Sequence, residues 1–429
     1  MGPALARPEG IIPAGPGNRR LAWEVAAILV FAAWRWGGLH RADAPFFMAL
    51  AAVLFIEALG LFSRSGPGSG TENSRSWWRR DLFFWSGLAF LAYLGCQWWN
   101  GGRELGYDAQ ARCWAYSPPR HPFWPWAVTR PDAAQMLQWF FPAWAIGLAL
   151  RSPFLARRDL RGLLRGLLVS AGALAVAGMV PLITRAPNGF WRMPPGCDAF
   201  SAFGYGNHAA AYFVMLGAVA AGLLFHEGFR RDRPVKRMAA GGFLAALLLC
   251  LLGANLSLSR TGIVLAWILA AGTAGYGLAR SWRRLRPAGR LRWLAATVAA
   301  GIVLYFTVLG AGGPAIRTEF RVKRPPRAQL IPAWQTVNLD LSDRPRLWNI
   351  AWQVFKAHPV YGGGGWGFRY LAGFHLPADM RNHWDKNYGR SNVHCDPLQF
   401  LTEFGLAGAG LMAAALGALL APLFRPDLH

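Results

Sequence analysis

Four short segments of the 429-residue chain carry side chains able to handle an anion or a proton. The first is Leu256-Ser257-Leu258-Ser259-Arg260-Thr261-Gly262, where one guanidinium follows two serines. The second, Ser342-Asp343-Arg344-Pro345-Arg346-Leu347-Trp348, sets two arginines beside the expected start of a helix, where dipole and side chains both favour an anion. The third runs from His358-Pro359-Val360-Tyr361 into Gly362-Gly363-Gly364-Gly365-Trp366-Gly367-Phe368. A glycine run can offer backbone N–H groups to phosphate, but no Lys-Ser/Thr follows, so it is not a P-loop. The fourth is Asn392-Val393-His394-Cys395-Asp396-Pro397-Leu398-Gln399, whose imidazole suits general base work near neutral pH.

Each segment also has a plainer reading. Arg260 can snorkel to lipid headgroups. Ser342 or Asp343 can cap the helix, leaving Arg344 and Arg346 solvated. The glycine run serves equally as a flexible reversal after a helix. Asp396, with Pro397 next and Gln399 three residues on, resembles a helix cap.

The elements that must hold these residues are membrane helices. Hydrophobic residues make up 54% of the chain and charged residues 15%, well below the roughly 25% expected of a soluble protein. The 22 Trp and 27 Phe suit a chain with many lipid–water boundaries. This excludes a soluble cytosolic enzyme and a disordered polypeptide. The net charge of +24 is spread in short clusters between apolar runs, so it is not a nucleic-acid patch. Of the 45 basic residues all but Lys236, Lys323, Lys356 and Lys386 are arginine, the better two-pronged phosphate ligand.

A bilayer core takes about 20 mostly apolar helical residues. That template predicts ten spans, near 21–38, 44–62, 81–99, 133–152, 163–184, 207–229, 239–257, 262–279, 293–311 and 398–424. Ten spans place the clusters at Arg19-Arg20, Arg75–Arg80, Arg157–Arg165, Arg230–Arg237 and Arg280–Arg292 on one face, which the positive-inside rule makes cytoplasmic. Both termini (1–20 and 425–429) are then cytoplasmic, and 100–132 and 312–397 face outward. In the larger outward segment Leu347, Ile350, Ala351, Val354 and Phe355 fall at helical spacing. Pro345 should lie in the first turn of that amphipathic helix, and His358-Pro359 should stop it. The helix is expected to lie along the membrane and cap the bundle. Of five cysteines, Cys113 and Cys197 are one conceivable outward pair, and no metal-ligand spacing occurs.

Taken in order, the motifs resemble the O-antigen ligase and O-antigen polymerase superfamily of bacterial membrane glycosyltransferases. Ser259-Arg260-Thr261-Gly262 is similar to its Ser-Arg-x-Gly turn. Ser342-Asp343-Arg344, Trp348, His358-Pro359 and Gly362–Gly367 are similar to its next conserved stretch. His394-Cys395-Asp396-Pro397-Leu398-Gln399 with Glu403-Phe404-Gly405-Leu406 looks like its His-Asn-Asp-x-Leu-Gln signature, although Cys395 stands where the family usually has Asn. Phe203-Gly204-Tyr205-Gly206-Asn207 matches a further family motif loosely. The resemblance covers roughly residues 200–410, and ten spans is fewer than the dozen or so it implies for ligases.

The fold expected is therefore an all-α polytopic bundle, of the GT-C-like type the resemblance implies, with one large extracytoplasmic loop in the inner membrane. The resemblance implies transfer of a glycan from an undecaprenyl (polyprenyl) diphosphate carrier to an acceptor hydroxyl in cell-surface polysaccharide or lipopolysaccharide biosynthesis. The acceptor is a lipid A–core sugar, a growing polysaccharide or a protein. Arg260 and Arg344, with Arg346 as a third, are expected to hold the diphosphate in one outward pocket with His394 as base. Asn207, His208, Asp396 and Glu403 are candidate supports. No cofactor, metal or nucleic-acid partner is expected. The competing class is a lipid-glycan flippase or small-solute transporter, which would call for broken helices in paired halves.

Overall fold

The computed structural model describes residues 19–35, 37, 41–59, 77–102, 104–108, 113–184, 200–228, 234–282, 333–376 and 392–424. Helices run over Arg19–Trp34 (α1), Ala44–Ala58 (α2), Leu82–Trp99 (α3), Arg130–Arg151 (α4), Arg157–Thr184 (α5), Gly206–Leu223 (α6), Pro234–Leu256 (α7), Arg260–Trp282 (α8), Ala333–Ala357 (α9), Phe368–Leu371 (α10) and Asp396–Leu420 (α11). One short antiparallel ribbon, Leu105–Asp108 (β1) with Cys113–Tyr116 (β2), is an addition to the all-α expectation. Nine of the expected spans fall on helices, and the one at 293–311 lies outside the described residues, as does Cys197. Among the described residues six helices, α4 to α8 and α11, are long and apolar enough to cross a membrane. α2 is apolar but shorter.

The chain forms two compact units, 1–43 with 156–325 and 44–155 with 326–429. In the first, α6, α7 and α8 pack through glycines. Gly253 lies under the ring of the fully buried Phe213, and Gly262 lies against Ala210, so that a Cβ there would collide with its methyl. Small residues bring backbones close where lipid supplies no hydrophobic drive for association. Trp34 Nε1 donates to Ser170 Oγ at 3.0 Å, tying α1 to α5.

Among the described residues the second unit is held by aromatic packing and by the ion pair of Arg151 with Asp81. Phe90, Phe140, Phe400 and Phe404 meet across α3, α4 and α11 with ring centroids 4.5–6.3 Å apart. Arg151 at the end of α4 reaches Asp81, the cap of α3, at 2.6 Å and the Ala418 carbonyl of α11 at 3.0 Å. Three helix ends are thereby fixed by one guanidinium fork.

The amphipathic helix differs from its expected bounds. α9 begins at Ala333, so Pro345 lies inside it and Ser342 and Asp343 are interior helical positions rather than caps. A proline removes one N–H and crowds the preceding turn, yet packing elsewhere can carry a helix through it. Here Leu347, Ile350, Ala351 and Val354 bury their side chains with Phe368, Ala372, Leu376 and Val393. The stop at His358-Pro359 is as expected. Residues 312–332 and 377–391 of the expected outward segment lie outside the described set.

Candidate functional site

In the first unit the serine–arginine motif is the hinge between α7 and α8. The Ser259 hydroxyl accepts from Gly262 N at 3.2 Å and so caps α8, while Ser257 Oγ donates to the Ala254 carbonyl at 2.7 Å. Both serines are buried, and Leu258 between them holds φ 58. Arg260 is thus the first residue of α8. Its side chain lies outside the described set. The contact of Gly262 with Ala210 sets the Arg260 end of α8 against the start of α6, where Asn207 and His208 are exposed. Asn207 is not the cap of that helix: Tyr205 is, and Asn207 Nδ2 donates to the Tyr205 hydroxyl at 2.8 Å. The structure therefore groups the Arg260 backbone with Asn207 and His208.

The second unit holds the other candidates around a broken helix. α11 is interrupted at Gly405, with φ 58 and ψ −168. A helix broken at membrane depth must find new partners for its freed backbone groups. Here they come from the glycine-rich run. Leu406 N and Ala407 N donate to the Pro359 and Val360 carbonyls at 2.9 and 3.0 Å, while Gly363 N and Gly364 N donate to the Thr402 and Glu403 carbonyls at 3.0 and 2.7 Å. The Tyr93 hydroxyl of α3 lies 2.6 Å from the Tyr361 carbonyl and 2.8 Å from that of Phe404. Gln97 Nε2 donates to that hydroxyl at 3.1 Å and to Tyr361 O at 3.3 Å. Gly362, at φ 63, passes so close to the Glu403 carbonyl that no Cβ fits between them. The run is therefore a wedge that completes a broken helix. The N–H groups of Gly362, Gly363, Gly364 and Gly367 are engaged by protein carbonyls, so these four are not offered to a phosphate.

His394 heads this broken helix. It is exposed and holds φ 55, a left-handed conformation uncommon outside glycine. The turn is pinned on both sides: Gln399 Oε1 accepts from Val393 N at 3.2 Å, and the Cys395 carbonyl accepts from Gln399 N at 2.9 Å. The cap of α11 is thus Cys395, and Asp396 is the first helical residue, exposed, which corrects its expected capping role. Gln399 Nε2 goes on to Glu403 Oε1 at 3.0 Å, so the buried Glu403, 5% exposed, backs the His394 turn through one amide. Glu403 sits in the wedge itself rather than beside solvent.

Arg344 and Arg346 lie mid-helix and exposed on α9, not at a helix start, so no helix dipole helps them bind an anion. Their helix nonetheless packs with the His394 turn: Leu347, next to Arg346, shares a buried cluster with Val393 and with Cys395 and Leu398 at its edge. His358, after α9, sits edge-on to Trp126 at 5.1 Å. Burial, and secondarily the nearby His375, push its pKa below the ordinary histidine value.

Several members of this cluster have no strong signature in the sequence. Arg369 stacks over the Trp366 ring at 3.7 Å and acts electrostatically on Glu403. The buried Asp132 carboxylate accepts from the Thr129 and Tyr370 hydroxyls, each at 2.8 Å. Thr129 also accepts from Asp132 N at 3.3 Å. The Thr-x-x-Asp spacing before an apolar run was the available signal for that cap. Nothing local marks Tyr93 or Gln97.

Residues 245–413, less than half of the chain, match the family model Wzy_C, described as O-Antigen ligase. Over these residues the chain is similar to the O-antigen ligase family. No curated protein matches the chain. The matched segment opens inside α7, takes in the Arg260 turn, α9 with Arg344 and Arg346, the glycine wedge and the His394 turn, and ends within α11. Asn207, His208, Tyr93, Gln97 and Asp132 lie before it. That match together with six membrane-length helices supports a multi-pass membrane enzyme of glycan transfer in O-antigen-related processes.

Proposed function

We propose that the protein transfers a glycan from a polyprenyl diphosphate carrier to an acceptor hydroxyl at the outward face of the bacterial inner membrane. The observation that carries this reading is the His394 turn: an exposed imidazole in left-handed backbone, pinned by Gln399, inside the O-antigen ligase match. In the transfer step the acceptor oxygen bonds to the anomeric carbon as that carbon's bond to the diphosphate breaks. The electron pair leaves with the diphosphate, and the acceptor proton passes to His394. Arg260, Arg344 and Arg346 neutralise the charge gathering on the leaving group, a task that commonly contributes several kcal/mol. Asn207, His208, Asp396 and Glu403 are supports, Glu403 through Gln399. With guanidinium groups on the diphosphate, the step calls for no metal and should survive EDTA.

Purified protein given a polyprenyl-diphosphate glycan and a hydroxyl acceptor should release the free carrier. Arg260→Ala and Arg344→Ala should each abolish release while the protein still inserts and folds. Arg344→Lys should stay crippled, because an ammonium lacks the two-pronged contact. Carrier release that EDTA stops and Mg²⁺ restores would contradict the metal-free step. A flippase or transporter would place broken helices in paired halves. The break at Gly405 is instead filled by the protein's own backbone, which favours the enzyme.

A further inference from the structure

The connection between α3 and α4, in the second unit, belongs to none of the motifs above. His121-Pro122-Phe123-Trp124 is a tight turn, closed by Trp124 N donating to the His121 carbonyl at 3.2 Å. Proline stands at its second position, where a fixed φ suits the turn. Phe123 is therefore left at the tip, 86% exposed, with Trp124 beside it at 53%. The buried Asn100 fastens this turn to the end of α3. Its Oδ1 accepts from His121 N at 3.0 Å, and its Nδ2 donates to the His121 and Pro125 carbonyls at 2.8 and 3.2 Å. Trp99 stacks on the His121 ring at 5.2 Å and meets Trp124 at 6.1 Å. Trp98 and Trp99 are themselves 38% and 40% exposed. The turn is thus rigid, and its rings face outward from the protein.

We infer that this turn is an interfacial anchor, which inserts Phe123 and Trp124 into the headgroup region of the bilayer. A contiguous exposed apolar patch marks a protein or membrane contact, and the place of this one selects the membrane. Asn100 ends α3 and Arg130 opens α4, a helix long and apolar enough to span. Gly102 N donates to the Ala127 carbonyl at 3.1 Å and Arg130 N to the Gly102 carbonyl at 3.0 Å, which ties those two helix ends together. The turn therefore sits where a membrane helix starts, the level at which amphipathic rings settle. Cations stand beside the rings, as they do where arginine reaches headgroup phosphate: Arg120 is exposed, and Arg130 lies over the Trp98 ring at 4.4 Å. A sugar would call for hydrogen-bonding side chains around the platform, whereas the tip offers only Pro122 and Phe123. The other half of the connection bears the glycine wedge. Val128 N donates to the Gly363 carbonyl at 2.9 Å, and Trp126 stands edge-on to His358. Anchoring the turn therefore sets the depth of the wedge. On the sidedness expected from the arginine clusters, the leaflet is the outer one.

The test places a photoreactive side chain at one position at a time in the full chain. The protein is held in nanodiscs of phosphatidylethanolamine and phosphatidylglycerol, with a soluble oligosaccharide added, and adducts are read by mass spectrometry after irradiation. Phe123→p-benzoylphenylalanine should give lipid adducts as the main product from a monodisperse, helical protein. Trp126→p-benzoylphenylalanine, three residues on, should react within the chain instead, at the peptide bearing His358. Adding Trp124→Glu to the first variant should lower its lipid adduct severalfold, because a charge at the tip draws the turn out of the bilayer. The inference would be overturned by a Phe123 variant without lipid adducts, whose tip then lies in water, or by adducts chiefly to the oligosaccharide or to a second copy of the chain. Equal lipid labelling from positions 123 and 126, or labelling that Trp124→Glu leaves unchanged, would overturn it as well. None of these readings depends on glycan transfer, so the anchor and the proposed reaction can fail separately.

Discussion

The turn at Ser257–Gly262 and the segment Asn392–Gly405 both lie within the residues that match the O-antigen ligase model, and they are completed by opposite means. The first closes on itself: Ser259 caps the next helix and Ser257 bonds back one turn, so its side-chain hydrogen bonds stay within a few residues. The second is completed from afar, with Tyr93, Gln97 and residues 359–364 filling the break at Gly405. A locally closed turn can be damaged one cap at a time. A remotely completed one stands or falls with the packing of three helices, which gives it a rigidity suited to fixing an imidazole.

The largest effect should come from closing the gap that the wedge occupies. Gly405→Ala places a Cβ at positive φ against the Val360 carbonyl and should destabilise the second unit by about 3 kcal/mol or more, read as lost folded yield and early unfolding in SDS titration. If Gly405→Ala unfolds like wild type, the broken helix is wrong. Next, Tyr93→Phe removes the hydroxyl shared by the Tyr361 and Phe404 carbonyls and should cost about 1–3 kcal/mol in the same titration. Ser259→Ala should cost less, about 1 kcal/mol, because it removes one helix cap that water can partly replace. A loss from Ser259→Ala exceeding that from Tyr93→Phe would reverse the comparison.

The smallest effect is a pH dependence. His358 in the folded protein has a lowered pKa, so below about 6.5 the unfolded chain takes up the proton more readily than the folded one. Stability should be full above that value and decline as pH falls through it toward the folded pKa. His358→Gln should flatten this part of the stability–pH curve. An unchanged slope would show that His358 is not the group responsible.

The helices were legible because 3.6-residue apolar patterning is a local property. The stop at His358-Pro359 was legible because proline restricts the residue before it. α9 was read from its apolar face, but its start was misplaced because Pro345 reads as a first-turn residue unless packing overrides it. The motif residues His394, Glu403 and Arg260 carried enough type and order to be picked out. What escaped was everything set by distant partners. The glycine run reads as a loop until the freed carbonyls of Thr402 and Glu403 are seen to take its N–H groups. Asp396 reads as a cap until the chain enters the helix one residue earlier, at Cys395. Tyr93 and Gln97 are ordinary interior residues of an apolar helix until the break at Gly405 gives them work.

The most direct test is carrier release by purified wild-type protein and by His394→Ala, using a polyprenyl-diphosphate glycan with a hydroxyl acceptor. Wild type should release the carrier as acceptor is glycosylated, and His394→Ala should retain its fold while losing about 10²–10⁴ in rate. Near-normal transfer by His394→Ala, or no transfer by folded wild type with any lipid, polysaccharide or protein hydroxyl supplied, would contradict the proposed reaction at that turn.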